Sequence, residues 1–486
     1  MSMPLFSDIK MNPALLCDFY EFTMGNGYFL KKMEKSVACF DLYFRKVPDN
    51  GGFAIAAGLE SVINFLDNLS FSDEDIDFLR SKGIFDEGFL EYLHNFKFEC
   101  DIYAVPEGTP IFPNEPLITV KGPAVQAQIL ETMLLLTVNH QSLIATKANR
   151  IVRSAQGRPV FEFGTRRAQG NNAAVMGARA AYIGGCAGTA CAVCEQVFKI
   201  PAVGTMAHSW IQMFDSEYEA FKAYAELYPD GCTLLVDTYN VLKSGIPNAI
   251  RVNEEVLKPM GKKLKGVRID SGDISYLTKQ TRKMLVKAGL EDCKIFVSNS
   301  LDEYIIRDIL SQGAEADVFG VGERLITSKS EPVFGGVYKL VATESNGELV
   351  PKIKLSENPE KITTPGYKKI YRLFSNETGK MVADLIALND ETFDFTKPIT
   401  LFDPEHTWKS KTFENYHVEE LLKPVYIKGK RVYDNPSIEE IKTYCKEQVS
   451  KLWDEVLRFE NPQNYYVDLS QKLWDLKHNM LKNKSK

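Results

Sequence analysis

At 486 residues the chain exceeds what one ordinary core accommodates, so two or three domains are expected. Hydrophobic residues at 44% and charged residues at 25% describe a soluble globular protein, and no run of about 18 apolar residues offers a membrane-spanning helix. A formal charge of -6 supplies no general field for nucleic acid, so any anionic ligand must be held by local cations.

Nine cysteines, an odd number without paired spacing, suit reduced thiols and a cytoplasmic protein. Asp8 and Lys10 precede any useful apolar run, so no secretory signal is expected. Cys191 and Cys194 form a CxxC, but no second pair or neighbouring histidine completes a zinc set, and both are expected as small packing residues on a helix.

Along the chain, residues 12–30 open with an Asn cap and Pro and carry helical apolar spacing, with Tyr20, Phe22 and Tyr28 as core candidates. Residues 37–48 alternate apolar and charged, the pattern of a half-exposed strand. A polar helical stretch over 72–96 is followed by short apolar runs punctuated by Pro, Gly and Asn over 100–123, which predict a small antiparallel sheet or sandwich. Helical spacing over 124–151 then leads into a second domain.

From Val160 strand and helix patterns alternate: VFEFG, IPAVGTM from Ile200, CTLLVDT from Cys232, LKGVRID from Leu264, KIFVSN from Lys294 and VFGVG from Val318. Six βα units predict a parallel sheet and favour its closure into a barrel, with an open doubly wound sheet as the alternative. After Phe334 an Asn346-Gly347 turn predicts a hairpin, and helices are expected over 437–481.

Each of these strands ends in polar or glycine residues, which a barrel would bring to one face. Arg166, Arg167 and Arg268 at strand ends favour anion binding through their bidentate forks, although any one alone would read as a surface ion pair. The late turn FGVGERLITS, with Gly322 and Thr327, offers backbone N–H groups and hydroxyls to phosphate. Asp237, Asp270 and Asp273 suit Mg²⁺ or sugar hydroxyls; Asp273 fits a helix cap at least as well. His208, just past the Ile200 run, reads as base or nucleophile, with Asp237 on the next strand able to orient it. His94, His406, His417 and His478 read as structural.

The stretches FEFGTRRAQG from Phe161, GTMAHSW from Gly204, VDTYN from Val236, GVRIDSGD from Gly266, VSNSLDE from Val297, GGVYKLV from Gly335 and VDLSQKLWDLK from Val467 resemble the nicotinate phosphoribosyltransferases, in order and from Asp18 almost to the C-terminus. The resemblance implies an irregular parallel α/β barrel joined to a β-rich (α+β) N-terminal sandwich completed by C-terminal segments, with divisions at 1–140, 141–335 and 336–486. It implies joining of nicotinate to 5-phosphoribosyl 1-diphosphate with Mg²⁺, and ATP hydrolysis through a phosphohistidine, in a homodimer with sites at the interface.

Carried over by motif, His208 is the phosphorylated residue and Asp237 its partner. Phe163, with Tyr20 from the other subunit, would stack on the pyridine ring. Arg268 and Thr205 would hold the carboxylate; Arg166, Gly322 and Thr327 would hold phosphates; and Asp270, Ser298 and Asn299 would lie near the ribose. Nicotinamide-using relatives carry an aspartate where Ala190 falls, so Ala190 implies the acid as substrate, while Ala190-Cys191 departs from the family's usual Ser-Asn.

Overall fold

A computed structural model describes residues 11–484, so Asp8 and Lys10 lie outside the described residues. Ile144–Pro332 forms one compact unit, and the segments before and after it form the other. No helix among the described residues is long and apolar enough to cross a membrane.

The first unit is built on a seven-stranded antiparallel sheet and a four-stranded one. In the larger, Val37–Phe44 lies between Gly336–Ser345 and Ile118–Pro123, and Asp101–Ala104 carries Lys423–Ile427 on its far side. The smaller contains Lys368–Ser375, Met381–Leu388, Tyr416–Glu420 and Val467–Leu469. Phe40, Leu42 and Val120 share one apolar core with Ile370, Ile386 and Leu469, so the faces of the two sheets close over each other.

The Val37 strand is buried almost throughout rather than half exposed. Its one charge inside the sheet, Asp41, is neutralised by Lys368 at 2.7 Å and accepts from Thr119 Oγ1 at 2.7 Å, so alternation marked a buried ion pair instead of solvent. The hairpin forms as expected: Ser345 faces Glu348 across Asn346 and Gly347, both at positive φ, the geometry that a two-residue turn demands.

The expected helix over 12–30 is interrupted. Pro13–Leu15 makes one 3₁₀ turn, and Phe19–Leu30 restarts behind an Asp18–Glu21 capping box. Glu21 is fully buried; its Oε1 accepts from Thr132 Oγ1 at 2.5 Å, and its Oε2 has no hydrogen-bond partner. Burial pushes this carboxyl up to about 7, the Thr132 hydroxyl opposing.

Between about pH 4.5 and 7 the unfolded chain therefore releases a proton that the native Glu21 keeps, so stability falls as pH rises through that window and is flat above it. Urea midpoints measured across pH 4.5–8 should show this fall in the wild type and lose most of it in Glu21→Gln. Parallel curves for the two proteins would refute the assignment.

The second unit holds a six-stranded, all-parallel sheet in the order Gly188–Thr189, Val160–Glu162, Val318–Val321, Lys294–Asn299, Gly266–Ile269, Thr233–Leu235. Five of the six expected strands are in it. The Ile200 run is not a strand: Ala202 makes only a single bridge to Thr189, and the two-residue strand is Gly188–Thr189 itself. Pro201 brings no N–H to a ladder, and the pairing consists of Thr189 N–H to Pro201 O and Val203 N–H to Thr189 O. Among the described residues the hydrogen-bonded sheet has Gly188–Thr189 and Thr233–Leu235 at its two ends, and its ladder pairs them with no further strand that would close it into the expected barrel.

Candidate active site

The carboxyl ends of these parallel strands carry the polar residues singled out by sequence. Main-chain ladders fix the strand ends in register, and each chain leaves its last pairing within a residue or two of a reactive side chain. Phe163 follows the Val160 strand, Asp237 the Thr233 strand and Asp270 the Gly266 strand; Ser298 and Asn299 end the Lys294 strand, and Gly322 follows the Val318 strand.

At the centre, Arg268 is threaded through a set of acceptors. Its Nε donates to Ser298 Oγ at 3.1 Å, and one terminal nitrogen donates to Thr205 Oγ1 at 2.8 Å and to the Met206 carbonyl at 3.1 Å. The other terminal nitrogen stands 4.0 Å from Asp270 Oδ1 and is the edge left for a ligand. Burial lowers the Arg268 pKa, with Asp270 and Asp237 pulling it back.

Ser298 Oγ donates to Asp270 Oδ1 at 2.5 Å. Asp237, its side chain only 1% exposed, accepts through Oδ2 from the Asp270 N–H at 2.9 Å and from Ser271 Oγ at 2.7 Å, while its Oδ1 has no hydrogen-bond partner. A buried carboxylate oxygen without a donor is costly and marks a place for a cation or a donor from a ligand.

His208 begins a short helix, His208–Gln212, and reaches this cluster. Its Nδ1 lies 3.0 Å from Thr238 Oγ1, and its Nε2 lies 4.0 Å from Asp237 Oδ1 and 3.9 Å from Asp270 Oδ2. The group in hydrogen-bond reach of the imidazole is thus Thr238, and both carboxylates stand just beyond that reach, facing its other nitrogen. Thr238 was visible only as one of many strand-end polar residues.

Phe163 is held by close packing. Its N–H donates to Val321 O at 2.8 Å, and its ring covers Gly320, where a Cβ would lie 2.5 Å from it. At Gly322 a Cβ would lie 3.1 Å from the Phe163 carbonyl oxygen, a looser approach. Arg166 is exposed on the 3₁₀ turn Thr165–Arg167 and repels Arg268 electrostatically.

Other expected residues are satisfied locally. Thr327 Oγ1 donates to Glu323 O at 2.8 Å, Asn299 Oδ1 accepts from Ser300 N–H at 2.6 Å, and Asp273 caps the helix Ile274–Lys287 by accepting from Tyr276 N–H. Tyr20 belongs to the first unit, where it is 43% exposed and its hydroxyl bonds Glu131. Among the described residues no group of three or more His, Cys, Asp or Glu side chains is arranged as a metal site.

Three family models match: the nicotinate phosphoribosyltransferase N-terminal domain over residues 15–139, the nicotinate phosphoribosyltransferase family over 159–393, and its C-terminal domain over 367–477. The nicotinate phosphoribosyltransferase of Bacillus subtilis (strain 168) is 44% identical over 466 residues, covering 96% of this chain and 94% of its own. The chain belongs to the nicotinate phosphoribosyltransferase family. The human relative is 32% identical over 516 residues, covering 94% of this chain and 95% of its own. A crystal structure of human nicotinic acid phosphoribosyltransferase superposes with a TM-score of 0.85 at 30% identity, over 96% of this chain and 100% of that one. A family fold of parallel and antiparallel sheets therefore carries the cluster around Arg268 and His208.

Proposed function

We propose that this protein joins nicotinate to 5-phosphoribosyl 1-diphosphate, releasing diphosphate and nicotinate mononucleotide for NAD biosynthesis, and that ATP hydrolysis is coupled to the reaction by transient phosphorylation of His208. Family membership supports the reaction. The observation that carries the coupling is the placing of His208: Thr238 fixes one imidazole nitrogen, and the other faces the carboxylates that would attend the sugar.

In this reading the free edge of Arg268, with Thr205, receives the nicotinate carboxylate, and Phe163 covers one face of the pyridine ring. Tyr20 of a second copy of this chain covers the other face. The helix Phe19–Leu30 exposes Phe19, Tyr20, Met24 and Leu30, an apolar surface suited to a homodimer. Arg166, with the Gly322 turn and Thr327, receives phosphates, and Asp270, Ser298 and Asn299 lie along the ribose.

Displacement of diphosphate by the ring nitrogen builds positive charge on the ribosyl carbon, which Asp270 and Asp237 stabilise by position, while Arg166 favours negative charge on the departing group. Mg²⁺ suits Asp237 and Asp270, since a hard cation takes carboxylate oxygens together with phosphates, and when bound it would supply positive charge against the diphosphate. Phosphorylation of His208 adds charge beside the carboxylates, so its effect on substrate affinity follows from their repulsion. Nine free thiols support a reducing, cytoplasmic setting.

Incubation with γ-labelled ATP should place acid-labile, base-stable label on the wild type and none on His208→Ala. The variant should also lose the stimulation of nicotinate mononucleotide synthesis by ATP. Equal labelling of the two proteins would sink the coupling, and failure of the wild type to form nicotinate mononucleotide would sink the reaction.

A further inference from the structure

Glu162 ends the strand that leads into Phe163 and is 0% exposed. One carboxylate oxygen, Oε1, accepts the Gly164 N–H, and the other, Oε2, accepts from Thr189 Oγ1 at 2.6 Å. The same residue's carbonyl accepts the Ala190 N–H at 2.8 Å, and Thr189 Oγ1 accepts the Cys191 N–H at 3.0 Å. Gly164 is needed for this approach, because a Cβ there would lie 2.8 Å from Glu162 Oε1 and 2.6 Å from Ile326.

Two neighbouring turns thus hang from one side chain. The first carries Phe163 and then Arg166; the second carries Ala190. The geometry points to Glu162 as the positioning residue of the nicotinate pocket: one oxygen pins the turn that bears the stacking ring, and the other pins the turn that would border the nicotinate carboxylate. This rests on the proposed seating of nicotinate against Phe163.

A buried carboxylate is a poor way to gain stability alone. Desolvation raises its pKa against the Thr189 and Gly164 donors, and an apolar side chain of similar volume is often as stable in such a place. What a well-packed leucine could not do is accept two hydrogen bonds from two different turns at once. Stiffness in a ligand-bearing pair of loops is the return for that cost, since misplacement of a binding group by about 1 Å is worth about 10² in rate.

The test uses full-length Glu162→Gln, Glu162→Ala and Thr189→Val, each checked for folding by its melting curve. Glu162→Ala should raise KM for nicotinate about 10- to 100-fold and KM for 5-phosphoribosyl 1-diphosphate by clearly less, since only the first turn, through Arg166, reaches the phosphates, with Glu162→Gln recovering part of the loss. An unchanged nicotinate KM, or equal losses for both substrates, would overturn the assignment. A second readout needs no turnover: 4-fluorophenylalanine placed at Phe163 should give one sharp ¹⁹F resonance in the wild-type background and a shifted or broadened one with Glu162→Ala or Thr189→Val. If that resonance did not move, Glu162 would not position the ring. If the wild type bound no nicotinate, the functional reading would fall while the ¹⁹F result still decided the role of Glu162.

Discussion

Arg268→Ala is expected to lower kcat/KM for nicotinate about 10²- to 10³-fold, the range seen when one preorganised donor to a developing or bound anion is removed. Three of its contacts, to Ser298, Thr205 and the Met206 carbonyl, hold the guanidinium in place, and only its remaining nitrogen is free for a substrate. Truncation removes that donor and strips Asp270 of its nearest cation. Arg268→Lys should recover little, since an ammonium has three donors around one point and cannot span Ser298 and Thr205 while presenting a further edge. Initial rates with nicotinate varied at saturating 5-phosphoribosyl 1-diphosphate check this; a lysine variant within about twofold of wild type would show that charge alone suffices.

Ala190→Asp is expected to reverse the choice between acid and amide. Ala190 is exposed and its main chain is fixed by Glu162, so a carboxylate introduced there disturbs no core and projects from a defined backbone position. It would repel the nicotinate carboxylate and accept from the nicotinamide NH₂. The ratio of kcat/KM for nicotinate to that for nicotinamide should fall by about 10²- to 10⁴-fold, the span between a simple misfit and an unpaired buried polar group. Retained preference for the acid would place the specificity elsewhere.

How much of this was legible in sequence follows from what each residue's neighbours reveal. Arg268, Asp270, Asp237 and Ser298 stand where apolar runs break, and a strand's length in sequence is enough to find such an end. The parallel alternation was legible for the same reason. Closure was not, because the Ile200 run has the composition of a strand but a proline where a donor is required, and whether an extended segment pairs depends on its neighbour rather than itself. Glu162 was hidden because one acid in an apolar strand looks the same whether it faces water or two donors, one from its own turn and one from another. Sequence placed Asp237 beside His208 but not Thr238: the threonine meets Nδ1 of the imidazole, while Asp237 gives one oxygen to Ser271 and sets the other 4.0 Å from Nε2.

The antiparallel sheet of the first unit has a consequence for synthesis of the chain. Only three of its seven strands, Val37–Phe44, Asp101–Ala104 and Ile118–Pro123, come before residue 144; Gly336–Ser345 and Lys423–Ile427, which cover the two open flanks of that trio, come after residue 332. On the ribosome the contiguous parallel-sheet unit can complete itself while the earlier strands still wait, with unpaired edges on both sides, for partners hundreds of residues behind them. Chain release before Lys423–Ile427 emerges would leave the Asp101–Ala104 edge open, so a truncated protein should fail first by aggregation through its N-terminal sheet, with the catalytic strands already assembled.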